Sequence, residues 1–103
     1  MILKSEKKYQ GINNDLYGGM THTGSIIKDA WLFDLLSEEE TCEGWTAGQI
    51  QTLYEQVYAA WEPYGHMVNC LPDELKQRHQ QIHEAAVKRA RELGWDPDLS
   101  NEM

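Results

Sequence analysis

The stretch Trp45-Thr46-Ala47-Gly48-Gln49-Ile50 constrains this chain most, because it specifies where a helix begins and how the chain enters it. Thr46 stands as an N-cap with Gln49 three residues on, so each side chain can satisfy a backbone N–H that the first helical turn leaves open. Trp45 and Ile50 flank the pair as a hydrophobic staple. From Ala47 onward, Ile50, Leu53, Tyr54, Val57, Tyr58 and Trp61 recur at helical spacing and form a wide apolar stripe. Pro63 and Gly65 then predict the end of the helix near Trp61.

A further helix is expected from Asp73 to Leu93. Pro72 suits its first turn, Asp73 and Glu74 its positive end, and Lys88, Arg89 and Arg91 its negative end. Gly94 takes the C′ position, Trp95 folds back toward Ala90, and Pro97 prevents continuation. Between Ser25 and Leu36 the apolar residues Ile26, Ile27, Ala30, Trp31, Leu35 and Leu36 also fit a helix, with Ser25 as its cap. The unbroken run Ala30–Phe33 would equally suit a buried strand, but no partner strand is visible elsewhere, which favours the helix. Ser37 with Glu40 repeats the capping pattern and suggests a short fourth turn.

Residues 1–24 hold Gly11, Gly18, Gly19, Gly24 and Asn13-Asn14 and keep no regular period, so they read as an extended or flexible arm. Tyr9, Ile12, Leu16 and Tyr17 are placed to tack it down. The expectation is an all-α protein: a small three-helix bundle over residues 25–98, an N-terminal arm, and a frayed tail at 99–103.

A length of 103 residues allows one core, and four Trp and five Tyr supply bulky material for it. No run approaches the roughly 20 apolar residues of a membrane span. The opening Met-Ile-Leu-Lys-Ser-Glu-Lys-Lys has no apolar signal segment, which points to the cytoplasm. In that reducing setting Cys42 and Cys70, with 27 residues between them, are expected as free thiols.

The net charge is −8, and its distribution says more than its size. Ten acidic residues and no Lys or Arg lie between Asp29 and Glu74, while the basic residues cluster before and after. Such a surface repels phosphate backbones and argues against nucleic acid as a partner. It suits a protein partner with a basic face, steered by Glu38, Glu39, Glu40 and Glu43, with Tyr64 and Met67 adding apolar contact. The basic last helix can also pair with the acidic segment of a second copy, giving a homodimer.

His79-x3-His83 places two imidazoles one turn apart on one helix face. Set out at about 100° per residue, His79 falls within the Leu75–Ile82–Ala86–Leu93 stripe and His83 at its edge. A histidine on a core face needs a hydrogen-bond partner or a metal, because an unsatisfied buried polar group costs about 1–3 kcal/mol. With His66 and Cys70 upstream, the four residues make a candidate zinc or iron set. There is no Cys-x2-Cys knuckle, and Gln80 occupies the position of a metalloprotease base. Cys70 precedes a helix N-terminus, which favours thiolate, but Asp73 and Glu74 oppose it. Gly19-x4-Gly24-Ser25 has only the outline of a phosphate loop, lacking its lysine and its preceding strand. No set of residues forms a coherent catalytic constellation. The expected function is an interaction or accessory module without catalysis or cofactor, the alternative being a metal-binding or redox protein using His66, Cys70, His79 and His83.

Overall fold

A computed structural model describes residues 8–95; the expected tail and the Pro97 stop lie outside them. Among the described residues the fold is all-α, with helices α1 (His22–Leu32), α2 (Ala47–Trp61) and α3 (Asp73–Glu92); short 3-10 turns lie before α1 and between α2 and α3. No helix among these residues is long and apolar enough to cross a membrane.

α1 is the central helix and packs against both α2 and α3. Its Ile26, Ile27, Ala30 and Leu32 are buried together with Leu53, Val57 and Trp61 of α2, and Leu71 completes this core just ahead of α3. The expected stripe on α2 is therefore narrower than its spacing implies: Tyr54 and Tyr58 lie on the exposed side. A peripheral helix needs only one buried face, and α1 already fills it.

The start of α2 is as expected. Thr46 Oγ1 accepts the Gln49 N–H at 3.2 Å, and Gln49 Oε1 accepts the Thr46 N–H at 2.8 Å. Past Trp61 the chain tightens into a 3-10 turn, Glu62–Tyr64, and leaves it through Gly65 in the left-handed region. α3 ends as the sequence implies, with Gly94 at φ 104°. The Trp95 N–H reaches the Ala90 carbonyl at 2.9 Å and the Gly94 N–H reaches Arg91 at 3.0 Å, the paired bonds of a Schellman motif. Pro72 is the N-cap of α3 rather than a residue of its first turn.

α1 differs from expectation at both ends. It begins at His22, capped by Thr21, whose Oγ1 accepts the Gly24 N–H at 3.0 Å; Ser25 lies exposed inside the first turn. It ends at Leu32, because Asp34 adopts the left-handed region at φ 59°. The Leu35 N–H then bonds to the Ala30 carbonyl at 2.8 Å, a second Schellman ending with aspartate where glycine is usual. Leu35 and Leu36 consequently leave the helix. Ser37–Glu40 forms a single turn, closed by the Glu40 N–H on the Ser37 carbonyl at 2.9 Å.

Residues 8–21 are packed onto the domain rather than standing away from it. Tyr9 exchanges two backbone hydrogen bonds with the 44–45 segment, each 2.8 Å, and the Ile12 N–H bonds to the Thr41 carbonyl. Ile12 is buried, whereas Leu16 remains exposed. A second 3-10 turn, Leu16–Gly18, lies against α3. Asp15 ties this segment together by accepting from the Tyr9 and Thr21 hydroxyls, each at 2.6 Å. Gly19 and Gly24 then meet backbone to backbone: a Cβ on Gly24 would lie 2.0 Å from the Gly19 oxygen. The glycine string is thus a packing and capping device, which accounts for its spacing without a phosphate.

Candidate functional site

Lys28 and Asp29 put two charges side by side in the middle of the most buried helix. Successive residues of a helix point about 100° apart, so the two side chains serve different neighbourhoods. Asp29 turns toward α2 and α3. Its Oδ2 accepts the Trp61 Nε1–H at 3.1 Å, and one of its oxygens lies with a ring nitrogen from each of His79 and His83 in a group no wider than 4.8 Å. The two rings are 4.2 Å apart between centroids, and His79 meets the Trp61 ring edge-on at 6.5 Å. Asp29 and His79 are half-buried and His83 is exposed, so the group opens to solvent on one side.

None of the hydrogen bonds among the described residues engages a ring nitrogen of His79 or His83, although Asp29 has its bond from Trp61. Burial raises the Asp29 pKa above the ordinary carboxylate value, opposed by the Trp61 N–H and the charges of His79, His83 and Lys28. Burial also lowers the His83 pKa, reinforced by His79 and Lys28 and opposed by Asp29. A lowered value keeps this imidazole neutral at pH 7, the form in which histidine binds metals. Bonds of about 2.0–2.2 Å from one ion hold its donors roughly 3–4 Å apart, so modest side-chain rotations close the set.

The four residues singled out in the sequence therefore divide. His79 and His83 come together, whereas His66 and Cys70 are not in the group. His66 sits in the left-handed region after the α2 turn, its ring 4.4 Å from that of Tyr58, and Cys70 is an exposed free thiol. Their nearness to His79 in sequence does not bring them into this group. Asp29 is the ligand-type residue that spacing does not reveal, lying 50 positions before His79. The available signal was an ionisable pair inside the otherwise apolar stretch Ile26–Phe33.

Of the expected docking acids, Glu38 pairs with Arg78 of α3 at 3.1 Å, and Glu40 accepts the Cys42 N–H at 2.9 Å. Arg78 also holds Asp34 at 2.9 Å, so the basic helix meets the acidic segment of its own chain. Glu39 and Glu43 are exposed. Tyr64 is half-buried and stacks on Phe33, while Met67 is 54% exposed. Cys42 is fully buried, and its thiol is pushed up to about 11 by burial and by Glu40.

Compared with known proteins, this chain matches no family model, no curated protein and no solved structure.

Proposed function

We propose that this chain is a small metal-binding protein that holds one zinc or ferrous ion through Asp29, His79 and His83. The observation that carries this is the convergence of three ligand-type atoms from two helices within 4.8 Å, with neither imidazole engaged in a hydrogen bond among the described residues. Two imidazoles and a carboxylate suit either ion, and the open side leaves coordination positions for water or a further ligand. The role is one of binding rather than catalysis. A cytoplasmic setting agrees with the two free thiols.

Docking of a basic protein is supported less well, since Glu38 and Glu40 already have partners within the chain. Glu39, Glu43 and Met67 remain for it.

Cobalt(II) and zinc titrations of protein purified without chelators test the metal site. One ion per chain is expected, with visible cobalt bands that zinc displaces. Asp29→Asn, which keeps an acceptor for Trp61, and His83→Ala should each weaken binding at least tenfold. Loss of binding in His66→Ala or Cys70→Ser but not in Asp29→Asn would overturn this ligand set. Absence of stoichiometric binding would overturn the function.

A further inference from the structure

Lys28, the other half of the charged pair, lines a separate cleft of about 270 Å³ between the arm, α1 and α3. The cleft shares no lining residue with the Asp29–His79–His83 group. Its walls combine cations (Lys28, Arg78 and Arg89), the Asn13 and Gln81 amides, and apolar surface from Ile12, Trp31 and Ile82.

Two of its groups have unmet polar demand. Lys28 is only 5% exposed, and its Nζ has the Met20 sulfur, 3.8 Å away, as its hydrogen-bond acceptor. No carboxylate oxygen among the described residues lies within ion-pair distance of it, whereas Arg78 has Asp34 and Glu38 and Arg89 has Glu92. A thioether is a weak acceptor and a poor counterpart for a buried ammonium. Arg78 keeps its Nε buried with no partner among the described residues. The site thus sets Lys28, with no carboxylate within ion-pair distance among the described residues, beside an apolar bed.

We propose that this cleft binds a small organic carboxylate, its anionic group at Lys28 and its apolar body against Trp31, Ile12 and Ile82. Glu38 on the rim selects against a second negative charge, which favours a carboxylate over a phosphate dianion. The volume of about 270 Å³ suits a molecule of about ten heavy atoms better than a helix or strand of a partner protein. This inference does not depend on the metal site.

Benzoate, acetate and inorganic phosphate, titrated into the ¹⁵N-labelled full chain and followed by NMR, supply the test. Benzoate should bind saturably, move the Trp31 indole and Arg89 amide signals, and bind at least tenfold tighter than acetate or phosphate. Lys28→Met should weaken it at least tenfold while the remaining spectrum keeps its dispersion. Should that variant not fold, Arg89→Gln, on the exposed flank, is expected to weaken binding at least threefold. Phosphate binding as tightly as benzoate, shifts confined to other surfaces, or unchanged affinity in a folded variant would each overturn the proposal.

Discussion

The two faces of α1 that carry Lys28 and Asp29 differ in how their charge is answered. On the Asp29 face the carboxylate has a hydrogen bond from Trp61 and two imidazoles within reach. On the Lys28 face a more deeply buried ammonium has only a thioether. Helical geometry points these adjacent opposite charges apart: Asp29 is answered from α2 and α3, and Lys28 by Met20 of the preceding segment. Burial acts on both in the direction expected of an isolated charge, raising the Asp29 pKa and lowering that of Lys28. A charged pair in a buried helix therefore marks two environments rather than one salt bridge.

The contrast breaks most completely where both faces are held in place. Gly24→Ala puts a methyl group 2.0 Å from the Gly19 backbone oxygen, which cannot move aside as a flexible side chain would. The arm must then lift from α1, at a cost of about 3 kcal/mol. In a domain of this size the melting temperature should drop by more than roughly 10 °C. A calorimetric fall of only a degree or two would mean that the arm contributes little to the fold.

The contrast is sharpened by removing the charges separately. Asp29→Ala leaves the Trp61 N–H without its acceptor and should cost about 1–3 kcal/mol in urea unfolding. Lys28→Met removes a buried charge that has no carboxylate within ion-pair distance among the described residues, so stability should change by less than about 1 kcal/mol or increase. Equal losses in both variants would show that Lys28 is as well answered as Asp29.

A comparably small effect concerns the arm that closes the Lys28 face. Burial alone would raise the Asp15 pKa, but bonds from Thr21, Tyr9 and the Leu16 N–H hold it below the ordinary value of 3.8. A carboxylate with a depressed folded-state pKa stabilises above its unfolded value, and that contribution is lost as pH falls through the folded one. Asp15→Asn should therefore cost about 1 kcal/mol at pH 7. Its melting curve should converge on that of the parent chain in acid below pH 3.8. A difference that persists unchanged at lower pH would assign the loss to packing instead.

The ends of the helices show what could be read without the structure. Thr46 was legible because Gln49 completes a reciprocal box and an apolar stripe follows; Gly94 was legible because glycine is the usual residue at C′. Thr21 was not, because its N3 residue is Gly24, present for close contact with Gly19 rather than for capping. Asp34 was not, because aspartate in the left-handed region has no separate signature, and the apolar pattern runs on through Leu35 and Leu36. Residues 8–21 lacked a period and so resembled a loose arm, yet single anchors hold them: Ile12 in the core and Asp15 between two hydroxyls.

The sequence by itself determined the helical class, the limits of α2, the glycine ending of α3 and the shared face of His79 and His83. All of these rest on interactions between residues three to six positions apart, where helix geometry dictates the neighbour. Only the tertiary structure decided that α1 is central, that Asp29 rather than His66 and Cys70 joins the histidines, and that Lys28 faces a cleft of its own. Those outcomes depend on how three helices and an arm share one core, and packing between segments far apart in the chain leaves no local pattern to read.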